Sequence, residues 1–113
     1  MRNQEILYQV SEVIKDRRLN PKDGSYTNYL FDNGLDKILK KVGEETAETI
    51  IAAKNQNKNE IICEISDLIY HVAVLMAYSG ISWDDIMGEL AERELKTGNL
   101  KKSDKPDKVT EYW

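Results

Sequence analysis

The sequence predicts an all-α protein, a four- to five-helix antiparallel bundle. Three observations carry that expectation. Apolar residues recur at helical spacing over long stretches, caps and turn residues separate those stretches, and no segment of useful length alternates with the period of a strand. No internal repeat is present.

The first helix spans about Asn3 to Arg18, with Ile6, Val10, Val13 and Ile14 at helical spacing. Asn20, Pro21, Asp23 and Gly24 then cluster as turn residues. Ser25 to Asn33 reads as a short helix closed by Asn33-Gly34. A second long helix runs from Asp36 to near Asn55, with Leu35, Ile38, Leu39, Val42, Ile50 and Ala53 as its apolar side. Gln56 and Asn57 fall in the polar turn that follows. Asn57 with Glu60 has the spacing of a capping box, and the helix it opens runs to about Ser79, where Gly80 closes it. Ser82 and Asp85 open the last helix, Trp83 to about Lys96, and Gly98 ends it. One domain is expected over residues 1–100, followed by a flexible tail over residues 101–113 that is rich in Lys and Asp.

The totals narrow the function classes. A length of 113 residues allows one core and not two. Hydrophobic residues make up 41% and charged residues 32%, the balance of a soluble globular protein. A net charge of −4 gives no electrostatic hold on nucleic acid or an anionic membrane, so neither is expected as a partner. A phosphate-bearing substrate would have its charge met locally, by a metal or a few placed cations. Cys63 is the only cysteine, which precludes an intrachain disulfide and fits a reducing compartment. The N-terminus is charged and interrupted, unlike a signal peptide, and the near-apolar run Ile69 to Tyr78 is short for a bilayer. A cytoplasmic location is expected.

The chemistry concentrates in two acidic spacings, Glu45-x-x-Glu48 and Glu64-x-x-Asp67. At about 100° per residue, Lys37, Lys41, Glu44, Glu45 and Glu48 share one arc of the second long helix, mostly opposite its apolar side. On the next helix Glu60, Glu64, Asp67 and His71 form a narrow polar stripe, and nearly every other direction is apolar. A helix of that kind is expected to be buried. No Lys or Arg lies between Asn59 and Glu92, so no neighbouring cation on that helix neutralises the stripe. A short turn makes the two helices neighbours, which can set Glu45 and Glu48 against Glu64 and Asp67. Such oxygens suit magnesium, or manganese in its place, better than zinc. His71 reads either as a partner to Asp67 one turn earlier or as a core histidine. Lys37, Lys40 and Lys41 either meet phosphates or pair with Glu44 and Glu45. Trp83, Tyr78 and Cys63 read as packing residues, and Glu89, Glu92 and Glu94 as a solvated face.

The stretches Gly24-Ser-Tyr-Thr-Asn-Tyr-Leu-Phe and Gly34-Leu-Asp-Lys-Ile-Leu-Lys-Lys-Val-Gly-Glu-Glu resemble the phosphoribosyl-ATP pyrophosphohydrolase family, a branch of the all-α MazG-like pyrophosphatases. So do Ile51-Ala-Ala-Lys54-Asn55, Glu64-Ile-Ser-Asp67-Leu-Ile-Tyr-His71 and Glu89-Leu-Ala-Glu-Arg93, and the likeness covers roughly Glu5 to Arg93. The resemblance implies hydrolysis of 1-(5-phosphoribosyl)-ATP to 1-(5-phosphoribosyl)-AMP and pyrophosphate with Mg2+, the second step of histidine biosynthesis. It implies Glu45, Glu48, Glu64 and Asp67 as metal ligands and catalytic residues, with Glu44 as an extra ligand or a base. Lys37, Lys41, Lys54 and Asn55 become candidates for phosphate contacts, Tyr26 and Thr27 would lie near the mouth of the substrate site, and Arg93 would reach from a neighbouring subunit. An intertwined homodimer is implied, which agrees with the apolar circumference of the acidic helix. Many relatives carry a fused cyclohydrolase domain; none precedes Met1 here, so a free-standing form is expected.

Two other functions share these residues. One is a housekeeping pyrophosphatase acting on free or non-standard triphosphates. The other is a non-catalytic helical dimer whose acidic groove binds divalent ions or a basic partner.

Overall fold

The computed structural model describes residues 3–95. They form a 3-10 turn, Asn3–Glu5, and five α-helices: α1 Ile6–Leu19, α2 Tyr26–Asn33, α3 Leu35–Lys54, α4 Lys58–Ser79 and α5 Trp83–Leu95. No strand occurs among the described residues. The expected helix end at Lys96 and Gly98, and the tail over residues 101–113, lie outside them.

The boundaries follow from local chemistry. The Ser25 hydroxyl accepts from the Asn28 amide at 3.3 Å and opens α2. Gly34, at φ +86°, closes α2 and lends its carbonyl to the Ile38 amide at the start of α3. The Asn57 side chain accepts from the Glu60 amide at 3.1 Å to open α4, and Gly80 closes that helix at φ 73°. Between α3 and α4, Gln56 takes φ 55°, the left-handed conformation that glycine adopts at less cost.

A compact unit ends at Ile81, and within it α3 packs chiefly along α4, α2 packs against both, and α1 packs against α4 and α2. Ile14, Leu30, Ile38, Ala52, Ala73, Val74 and Met76 make its core. Arg18 fastens α1 to the end of α4, donating to the Ala77 carbonyl at 2.9 Å with its guanidinium over the rings of Phe31 and Tyr78. Asn28 joins three segments: its Nδ2 donates to the Arg17 carbonyl at 2.6 Å and its Oδ1 accepts from the Lys22 amide at 2.9 Å. The second unit contains α5, opened by the Ser82 and Asp85 box: Asp85 accepts from the Ser82 amide at 2.9 Å and Ser82 from the Asp85 amide at 3.2 Å.

Two expectations need correcting. The buried side of α3 is Ile38, Glu45 and Ala52, seven residues apart, so the acidic arc contributes to the inward face. Ile50 and Ile51, by contrast, are each 60% exposed. Within the single chain α4 is not buried all round either: Ile62, Ile65 and Ile69 are exposed, and its buried residues lie from His71 onward. By length and composition α4 would pass for a membrane span, at a mean hydropathy of 1.6. Glu64 and Asp67 within it argue against lipid, where a carboxylate is costly.

Candidate active site

Helix α3 offers Glu45 and Glu48 one turn apart, and α4 offers Glu64 and Asp67 from the helix packed beside it. Oxygens of Glu45, Glu48 and Glu64 all lie within 4.8 Å of one another. Asp67, Glu64 and the Cys63 thiol form a second such group, so Glu64 is common to both. A cleft of about 200 Å³ lies alongside, lined by Glu48, Ile51, Ala52, Glu60 and Glu64.

The electrostatics are those of an acidic cluster with Lys41 as its neighbouring cation. Glu45 is only 7% exposed, and its Oε2, like that of Glu64, is buried with no hydrogen-bond donor. Burial, reinforced by Glu48, Asp67 and Glu64, pushes the Glu45 carboxyl up to about 7. Glu64 is also raised, chiefly by its contact with Glu48, while Glu48 is lowered by hydrogen bonds from Glu64 and Glu45. With all three ionised the buried oxygens face only other acceptors. Either protons shared with Glu48 or a cation must sit among them. Three hard oxygen donors without nitrogen suit magnesium or manganese, whereas the Cys63 sulfur beside Asp67 is a softer donor.

The other residues expected at the site are distributed unevenly. Lys41 Nζ lies 3.2 Å from Glu44 and 3.9 Å from Glu45, the pairing anticipated as an alternative to phosphate binding. The hydrogen bond to Glu44 raises its pKa. Glu44 stays half exposed, outside the three-oxygen group. Lys37 stands over the Tyr29 ring, 5.6 Å from its centroid. Lys54 and Asn55 are exposed at the far end of α3, with Asn55 as its C-cap, about 9 Å along the axis from Glu48. Arg93 is in the α5 unit, bonded to Glu89 at 2.9 Å.

Tyr26 and Thr27 come closer to the acids than their place in sequence suggests. The Tyr26 hydroxyl meets His71 Nε2 at 2.9 Å, and His71 Nδ1 meets the Asp67 main-chain carbonyl at 2.7 Å. A carbonyl only accepts, so Nδ1 carries the proton, and in the neutral ring Nε2 accepts from Tyr26. His71 thus contacts Asp67 through its backbone. The Thr27 hydroxyl bonds the Tyr70 hydroxyl. Sequence reading missed Tyr29, Tyr70 and Asn28. A second cleft, of about 490 Å³, opens on α2 and the preceding loop between Lys22, Asp23, Tyr26, Asn28, Tyr29 and Asp32. Its only sequence signal was the polar, aromatic Gly24 to Phe31 stretch.

Comparison with known proteins agrees with this geometry. The profile of a family described as phosphoribosyl-ATP pyrophosphohydrolase matches residues 7–94. The phosphoribosyl-ATP pyrophosphatase of Clostridium acetobutylicum is 54% identical over 106 residues, covering 94% of this chain and 96% of that protein. That of Clostridium novyi is 52% identical over 101 residues, covering 89% and 92%. The histidine biosynthesis bifunctional protein of Thermoanaerobacter pseudethanolicus is 63% identical over 87 residues, and the match spans 77% of this chain but 40% of that longer relative. A profile that takes in both acidic pairs, and relatives matched along nearly their whole length, lead to one assignment: the chain belongs to the phosphoribosyl-ATP pyrophosphohydrolase family.

Proposed function

We propose that the protein hydrolyses 1-(5-phosphoribosyl)-ATP to 1-(5-phosphoribosyl)-AMP and pyrophosphate, the second step of histidine biosynthesis, in the cytoplasm. The observation that carries this reading is the convergence of Glu45, Glu48 and Glu64, with two buried oxygens lacking a donor, in a chain of this family. Glu45, Glu48, Glu64 and Asp67 would hold a magnesium ion, or manganese in its place. When bound, that ion supplies charge neutralisation at the phosphates and acidifies water.

The chain's own groups do the remainder. Lys41, anchored by Glu44 and Glu45, presents an ammonium beside the acids, and Lys37 stands one turn earlier on α3. Both are placed to draw in the triphosphate. Water adds to the α-phosphorus, the α–β anhydride bond breaks, and pyrophosphate leaves with the bridging oxygen. The proton lost by water passes to a carboxylate, a role for which half-exposed Glu44, paired with Lys41, is the candidate. A homodimer completes the reading: Ile62, Ile65 and Ile69 on α4, with Ile50 and Ile51 on α3, are exposed apolar side chains that a second copy would cover.

The test is pyrophosphate release from phosphoribosyl-ATP, ATP and dCTP, each with and without a chelator. Selective, chelator-sensitive turnover of phosphoribosyl-ATP is expected. Hydrolysis of the free triphosphates alone would reassign the protein as a housekeeping pyrophosphatase. Glu48→Gln should remove most turnover while the helical content is unchanged, and retained turnover would remove the acids from the chemistry.

A further inference from the structure

The α2 cleft plays no part in the cleavage chemistry, yet it is joined to it. Tyr26 forms one of its walls, and the same side chain bonds His71 on the turn that carries Asp67. Tyr29 forms another, its ring 6.0 Å from that of Tyr26 and inclined by 22°. Both rings are nearly half exposed, so aromatic surface is open to a ligand. Lys37 stands over Tyr29, and from there α3 carries Lys37, Lys41 and Glu45 in successive turns, roughly 12 Å along its axis. A nucleotide with its phosphates at the acids and its chain along these lysines delivers its base to Tyr29 and Tyr26.

The charges of the cleft refine the choice of base. Asp23 and Asp32 line it, and neither forms an ion pair among the described residues. Plain adenine is neutral and gains little from carboxylates. An adenine substituted at N1 is different: its ring amidine takes up a proton near neutral pH and becomes a flat cation. Such a cation is attracted to the face of a tyrosine ring and to a nearby carboxylate. Lys22 in the same cleft offers a counter-charge to a phosphate on the N1 substituent.

We propose that this cleft is the base-recognition subsite, in which the Tyr26 and Tyr29 rings and the Asp32 carboxylate select an N1-substituted, positively charged adenine over plain adenine. The assignment rests on the proposed activity and names what makes it selective. Asp32 and Tyr29 are exposed residues of α2, so Asp32→Asn and Tyr29→Leu should leave the fold intact, which melting curves verify.

Steady-state kinetics on the full chain with magnesium form the first arm. Asp32→Asn should raise KM for phosphoribosyl-ATP about tenfold while changing kcat/KM for ATP less than about twofold, whereas Tyr29→Leu, which removes a ring facing either base, should weaken both substrates and phosphoribosyl-ATP the more. Equal loss on both substrates, or loss on neither, overturns the proposal. The second arm needs no turnover: calorimetric binding of 1-methyl-AMP against AMP. Wild type should bind the methylated nucleotide about fivefold more tightly or better, and Asp32→Asn should erase that preference. Equal binding of the two nucleotides by wild type overturns the proposal. Should wild type turn over only free triphosphates, the proposed activity fails, and the methyl preference still decides the cleft.

Discussion

Asn28 is the residue whose replacement by its own isostere should be most revealing. In Asn28→Asp the shape is kept, and the acceptor for the Lys22 amide survives. The Nδ2 donor to the Arg17 carbonyl, at 2.6 Å, becomes an oxygen facing an oxygen. Losing that bond and stranding two acceptors at a buried site should cost about 3 kcal/mol. For a domain of this size that lowers Tm by roughly 12–20 °C. The deficit should depend on pH with a definite sign. A protonated carboxyl can donate to the carbonyl, so the folded variant favours the proton and its carboxyl pKa lies above the unfolded value of about 3.9. The folded state then binds more protons than the unfolded one, and the deficit grows as pH rises through that range. Urea denaturation of both proteins at pH 5 and pH 8, at one fixed protein concentration, measures it. A difference below about 0.5 kcal/mol at pH 8, or one identical at both pH values, would refute the reasoning.

Three further outcomes are expected. Glu45→Gln should weaken magnesium binding at least about hundredfold while leaving the metal-free melting temperature no lower; calorimetry and melting curves decide, and an unchanged affinity would remove Glu45 from the ligand set. Metal-free wild type should lose stability as pH rises from 5 to 8, because Glu45, raised to about 7, and Glu64, also raised, bind protons better in the folded state. Glu48, held below the usual carboxylate range, is ionised in both states across this window and does not oppose the trend, so denaturation midpoints should fall with pH, and saturating magnesium should flatten that slope. Gln56→Gly should raise stability by about 0.5–1 kcal/mol in urea denaturation, since φ 55° suits glycine; a loss would mean that the glutamine side chain contributes more than its backbone costs.

The helix boundaries were legible because they rest on contacts three or four residues apart. Asn57 and the Ser82 and Asp85 pair cap as their spacing foretells, Ser25 caps the short helix expected there, and Gly34 and Gly80 take the positive φ expected of helix stops. The acidic pairs were legible too, as paired spacings on neighbouring helices, of which the α4 stripe has no Lys or Arg between Asn59 and Glu92 to pair with. That Ile38 and Ala52 share the inward side with Glu45 was not, since an apolar count sets the acidic arc mostly opposite the apolar residues. Nor were the bonds of Thr27 to Tyr70 and Tyr26 to His71, which cross 43 and 45 residues of chain. Tyr29 and Tyr70 gave no signal of their own, because ring-to-ring placement depends on tertiary contacts that local spacing does not encode.

Helices α2 and α3 are separated by one residue, Gly34, whose amide ends one helix and whose carbonyl begins the next. No slack exists at that joint, so the tyrosine-bearing surface and the glutamate-bearing surface behave as two arms of a fixed caliper. Inserting a single residue there would turn one arm against the other by about 100°. The gauge between them is therefore set covalently, by a glycine that no bulkier residue replaces without strain.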